Sequence, residues 1–184
     1  MNSSDALTTA GRSAHDLALA ALIGGNLFGR WAMHPALTDV SDKSERGRVL
    51  NRAWRRYGTI NSLALVALVA GWLPARRQAA GERRLTRAKD TAVGAVVLTG
   101  LASAAGGVGF AQQAPGGAVP MDSGRHPAPE TPAKAARLKH LVNSLGALNL
   151  ASEIVLLAVN SGARAPRPTA PRRPVRLGRG VRRP

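Results

Sequence analysis

The chain has no cysteine, which excludes disulfides, thiolate metal sites and thiol nucleophiles at once. Aromatic residues make up only 3% of its 184 positions. That is too few to fill a water-soluble core of this size, because aromatic rings supply much of a core's buried area. Helices that associate in lipid need no such filling, since close approach of Gly and Ala drives their packing. Acidic side chains are also scarce: ten stand against 26 Lys and Arg, giving a net charge of +16. In a soluble chain this excess would point to nucleic acid. Here the basic residues lie beside apolar blocks, so anionic lipid headgroups are the expected partners and nucleic acid is not. The skew to 22 Arg over 4 Lys, with abundant Ala and Gly, matches the codon bias of a GC-rich bacterial genome.

A hydrophobic fraction of 45% looks unexceptional until its distribution is read. The apolar residues fall into four blocks, at about 14–33, 59–74, 91–111 and 138–159. The pattern predicts an all-α fold: a four-transmembrane-helix bundle over 14–160, embedded in the lipid bilayer. Residues 1–13 form a short N-terminal segment, and 161–184 an Arg/Pro-rich tail whose lack of apolar periodicity predicts disorder. A soluble Ala-rich helical bundle is the competing reading. For the first block a secretory signal peptide also competes, because the uncharged centre from Leu17 to Gly29 is only 13 residues long. Against a signal peptide stand the acids Asp5 and Asp16, a lone preceding Arg12 and the lack of an A-x-A cleavage site following Gly29.

The third block carries no charge and several small residues, including Gly100-x-x-x-Ala104, so its helix is expected inside the bundle. Between the first two blocks, Val49, Leu50, Ala53, Trp54 and Tyr57 recur at helical spacing after Asp39, Ser41 and Asp42, any of which could cap a helix. A basic amphipathic loop helix follows, lying on the membrane surface or extending the second span. The second block ends at Pro74, with Trp72 at the level of the interface. Residues 75–90 read as a short basic loop and 112–137, rich in Pro and Gly, as an irregular one. The N-terminal segment, the second loop and the tail hold 15 Lys and Arg against 10 in the first and third loops. The positive-inside rule then places a multi-pass protein in the cell membrane with both termini cytoplasmic.

Chemistry at membrane depth must come from the few polar groups there, since an ionisable residue costs ~2.5–3.5 kcal/mol to insert. At 100° per residue His15, Asn26, Arg30 and His34 fall within an arc of about 100° on the first helix. Gly146, Asn149, Glu153 and Asn160 share an arc of about 60° on the fourth. If these stripes face each other, Arg30 and Glu153 can pair among amides. That pair could serve only register, or it could floor a pocket. In the second case Glu153 is the proton acceptor, Arg30 or His34 holds an anionic group, and Asn26, Asn61 and Asn149 contribute binding. No metal site is expected, because no H-x-x-x-H or H-E-x-x-H spacing occurs, and no cofactor, because no G-K-[ST] or Gly-rich loop follows a strand.

The run Gly24-Gly25-Asn26-Leu27-Phe28-Gly29, then His34-Pro35-Ala36-Leu37, a polar helix with Trp54, and Asn61 opening the second span resembles small four-helix bacterial membrane proteins. More distantly it is similar to the anthrone-oxygenase-like membrane family. That likeness covers about residues 14 to 160 as a pattern of spans. It implies cofactor-free oxidation of phenolic polyketides, with no catalytic motif that maps onto this chain. Three functions therefore stand open: a membrane protein binding a small molecule, lipid or protein partner; a membrane enzyme acting on a lipophilic substrate at Arg30, His34 and Glu153; and an oligomeric transporter or channel. The low density of catalytic residue types favours the first.

Overall fold

The computed structural model describes residues 3–78 and 83–164. They form four long helices: α1 (Ser3–Phe28), α2 (Lys43–Gln78), α3 (Arg83–Ala111) and α4 (Ala133–Arg164). The described residues contain no strand, only an isolated bridge between Met121 and Pro127. Three helices are long and apolar enough to cross a membrane, over Lys43–Pro74, Arg83–Ala111 and Ala133–Gly162. The first block is helical throughout but is not among them, as its short uncharged centre foreshadows. The N-terminal segment is already helical from Ser3, and the tail expected to be disordered from 161 is instead helix through Arg164, its remainder lying outside the described residues.

Each helix runs antiparallel to its sequence neighbour. α1 packs along α2, with Gly11 against Gly71, His15 against Leu68 and Gly29 against Trp54. At Gly71 a Cβ would collide with the backbone carbonyl of Gly11, so the two backbones meet where both residues lack a side chain. α3 packs along α4 in the same way, with Gly106 facing Val142 and Gly109 facing Leu138. The core between the four helices holds Leu19, Leu22, Leu65, Leu68, Trp72, Val93, Val96 and Leu156.

Three sequence-based expectations fail at this level. The third block's helix is not enclosed by the others: Leu98, Leu101 and Val108 of α3 are exposed, and one face of it, carrying Val93, Val96, Gly100, Gly106 and Gly109, meets other helices. Ala104, the second residue of the small-residue pair, is exposed. Trp72 turns inward, where its Nε1 donates to Asp90 Oδ1 at 2.9 Å. The helix carrying it continues through Pro74 to Gln78, and α3 begins at Arg83, so most of the expected second loop is helical. Pro74 lies inside this helix, so the backbone bond to the Ala70 carbonyl is missing there.

The amphipathic segment resolves as an extension of the second span, not a separate surface helix. Asp42 caps it, its Oδ1 accepting the Glu45 N–H at 2.6 Å. Its apolar side faces protein: Leu50 is buried and Trp54 packs with it against the third loop. That loop is irregular, as expected, yet it forms a folded cap. Val119 and Met121 join Leu37, Leu50, Phe110 and Ala135 in a second core beside the loops. Arg46 clamps the two loops together, donating to the carbonyls of Val40 and Asp122 at 2.6 Å each. Asn51 Nδ2 donates to Gly117 O at 2.8 Å.

Candidate functional site

The polar stripes of α1 and α4 do face each other, in antiparallel register. At one end His15 is buried between α2 and α4. Its Nδ1 lies 2.7 Å from Leu68 O and its Nε2 lies 3.1 Å from Asn160 Nδ2. A carbonyl only accepts and an amide NH2 only donates, so Nδ1 carries the hydrogen and Nε2 receives. This makes His15 a structural link remote from His34.

Further along, Glu153 is fully buried. Its Oε1 accepts two amide hydrogens, from Asn26 at 2.8 Å and Asn149 at 2.6 Å. The Thr99 hydroxyl lies 2.9 Å from Asn149 Oδ1, extending this layer to α3. Glu153 Oε2 has no hydrogen-bond partner. The expected ion pair with Arg30 does not form. Arg30 Nη2 instead donates to the Asn143 carbonyl at 3.4 Å and passes beside Gly146. An amide pair therefore holds the carboxyl where a guanidinium was anticipated, because Arg30 reaches toward the loops and away from Glu153.

Above the Glu153 layer a cavity of about 820 Å³ opens between the helices. Asn26, Asn61, Ser62, Gly100, Ser103 and Asn149 line its deep end. Leu50, Trp54, Val108, Phe110 and Val142 supply apolar wall toward the loops, where Arg30, His34, Arg125 and Lys139 gather. Ten residues separate Gly100 from Phe110 and Asn149 from Lys139, so the cavity runs ~15 Å along the helices at 1.5 Å per residue. Below it the leucine-rich core closes the bundle. Glu153 does not line the cavity; Asn26 and Asn149 stand between.

His34 sits at a kink. α1 widens into a π turn over Gly29–Met33, and Pro35, which lacks an N–H, follows immediately. Trp54 Nε1 donates to His34 Nε2 at 3.4 Å, which leaves the hydrogen on Nδ1 with no partner. Gly124 of the third loop lies so close over His34 that a Cβ there would come within 2.6 Å of its Cα. Burial, reinforced by the charges of Lys139, Arg125 and Arg30, lowers the His34 pKa to about 3, so the ring is neutral across the physiological range.

Of the residues anticipated from sequence, Arg30, His34, Asn26, Asn61 and Asn149 meet at this cavity and Glu153 lies behind it. Sequence reasoning missed Arg125, Lys139 and Asn143. Asn143 joins them: its carbonyl accepts Arg30, and its Nδ2 donates to Arg125 O at 2.7 Å. His126 and His140 are exposed. Among the described residues no three His, Asp or Glu side chains gather as a metal ion would require. No protein-family profile matches the chain, and comparison with curated proteins and with solved structures finds no significant match.

Proposed function

We propose that this is a four-span integral membrane protein that binds a small amphiphilic molecule in the cavity between its helices. The observation that carries the reading is the cavity: about 820 Å³, apolar along its wall and polar at both ends. It falls within the ~300–1,000 Å³ typical of small-molecule sites. The cavity stops at the Asn26–Glu153–Asn149 layer above a packed apolar core, an arrangement suited to holding a ligand and poor for conducting one. A second reading, catalysis on a lipophilic substrate as the anthrone-oxygenase-like resemblance implies, finds support in the unpartnered Nδ1 of His34. It would have to run from His34, since Glu153 is shielded.

Filling the cavity tests the binding reading. Gly107 lines the cavity, and a Cβ at that position would have nothing within 4 Å. Gly107→Phe is therefore expected to keep the fold and lower retention of a brominated single-chain amphiphile at least tenfold. Quenching of Trp54 reports occupancy, in a Trp31→Phe background because Trp31 is 70% exposed, with Trp72, which lies in the core and does not line the cavity, as a constant signal. Equal quenching with and without the plug would sink the binding reading.

The fourth span rests on α1. Leu17, Phe28 and Trp31 point away from the other helices and are at least 65% exposed, as a lipid-facing side would be. The excess of Lys and Arg in the N-terminal segment, the second loop and the tail favours the cytoplasm for both ends, with the cavity mouth on the opposite face. The same basic segments are suited to anionic headgroups. Because the chain lacks cysteine, single introduced cysteines at exposed positions report sidedness directly. In intact cells a membrane-impermeant maleimide should label Pro129→Cys, an exposed position in the third loop, and reach Thr9→Cys and Ser161→Cys only after lysis. Labelling of Thr9→Cys and Ser161→Cys from opposite sides would mean that α1 does not cross.

A further inference from the structure

The lining of the cavity contains Arg30, Arg55, Arg125 and Lys139 and no carboxylate. Three of these, Arg30, Arg125 and Lys139, line the cavity together with His34 and lie near enough for their charges to act on its ring. Lys139 is the most telling of them. It is only 3% exposed, yet it makes no hydrogen bond or ion pair with any of the described residues. Its Nζ lies over the Phe110 ring, 5.5 Å from the centroid. A cation–π contact offsets only part of the cost of an uncompensated buried ammonium.

The neighbouring donors share this lack of an acceptor. His34 Nδ1 is buried without a partner. Arg30 makes only a long bond to a carbonyl, leaving most of its five N–H donors free. The acids nearest in the loops are engaged elsewhere: Asp122 and Glu130 both pair with Lys43, at 3.0 and 3.4 Å. A buried ammonium thus stands at one end of the cavity beside two guanidinium groups, and no carboxylate lines that cavity to receive them.

We infer that the cavity takes a single-chain amphiphile with an oxyanion head, a carboxylate or phosphate ester, seated between Lys139, Arg125 and Arg30 beside His34. The apolar wall from Trp54 and Phe110 to Val142 receives the chain. An oxyanion supplies acceptors for all these donors at once and neutralises the buried ammonium. This assignment rests on the cavity-binding reading and adds the chemistry of the head group to it.

The test compares dodecyl phosphate, laurate, dodecanol and inorganic phosphate, binding to the full chain in phosphatidylcholine nanodiscs and read by Trp54 fluorescence in the Trp31→Phe background. Dodecyl phosphate and laurate are expected to bind at least tenfold tighter than dodecanol. Lys139→Met should abolish that preference, Arg125→Gln should reduce it severalfold, and Lys134→Met, exposed and outside the cavity, should leave it unchanged. Should Lys139→Met fail to fold, Arg125→Gln, at an exposed loop position, still decides the question. Equal affinity for dodecanol and the two anions would overturn the head-group assignment and leave the cavity reading standing. No binding of any amphiphile would overturn both. Inorganic phosphate competing as well as dodecyl phosphate would overturn the amphiphile in favour of a free anion.

Discussion

Glu153→Ala is expected to destabilise the bundle by ~3–5 kcal/mol, while Glu153→Gln costs under ~1 kcal/mol; hydrogen bonds and volume decide the difference. Glu153 has no exposed surface, and its Oε1 is the shared acceptor for Asn26 and Asn149. Truncation leaves two amide donors without a partner, each at ~1–3 kcal/mol, and opens a void where water has no easy access. It also unties α1 from α4, whose other links are Asn160 to His15 and Arg30 to Asn143. Gln keeps the accepting oxygen and the shape. It loses a charge that no cation pairs with among the described residues, and it exchanges the buried, unpartnered Oε2 for an equally unpartnered NH2, one unsatisfied group for another. Thermal unfolding of the three proteins in one detergent separates the cases. Were Gln as damaging as Ala, the negative charge itself would be needed, and the amide-held picture would be wrong.

What is legible in the sequence is the part governed by period and hydropathy. Successive residues on a helix turn by a fixed angle, so the stripe of His15, Asn26, Arg30 and His34 and that of Gly146, Asn149, Glu153 and Asn160 each follow from spacing alone, while their facing each other is seen only in the fold. Nor does spacing give their bonding. Arg30 and Glu153 share facing stripes, but the long guanidinium reaches toward Asn143, and the shorter Asn26 meets the carboxyl. Pattern gives the face of a helix; side-chain reach decides the partner.

Lys139 and Arg125 are hidden in the sequence for different reasons. Lys139 reads as a loop charge bearing on orientation, because sequence places it only at the entry to the fourth block. It is buried where the third loop folds toward it, and nothing in a Pro- and Gly-rich stretch announces such a fold. Arg125 reaches the cavity only because Gly124 lets the loop rest on His34. The contacts that assemble the cationic end are long-range and made by irregular backbone, which carries no period to read. α3 misleads in another way. Its small residues promise an inner helix, yet only one face of it meets neighbours, and a Cβ at Gly94 or Gly107 would have nothing within 4 Å.

The cationic end of the cavity depends on that loop, so the residue on which the loop is seated should have an outsized effect. Gly47→Leu is expected to release the third loop and raise trypsin cleavage after Arg125 ~100-fold, the factor that a ~3 kcal/mol loss of local stability gives. Gly47 is buried in the first turns of α2, and a Cβ there would collide with the Val119 backbone carbonyl. Backbone cannot rotate away as a side chain can, so the loop has to lift. Lifting breaks the Met121 N–H bond to Lys43 O at 3.0 Å, the Asn51 bond to Gly117 O and the Arg46 bond to Asp122 O. It also exposes Met121 and Val119, and in this water-facing cap each buried apolar side chain contributes ~1.5–3 kcal/mol. The helices do not depend on this seat, so helical circular dichroism should be unchanged while cleavage rises. Cleavage after Arg77 and Arg83, which flank the connection after α2, provides the control, since it should not respond. Unaltered cleavage at Arg125 would mean that the loop is held by α3 and α4 alone, and that Gly47 can be filled without lifting the cap from the cavity.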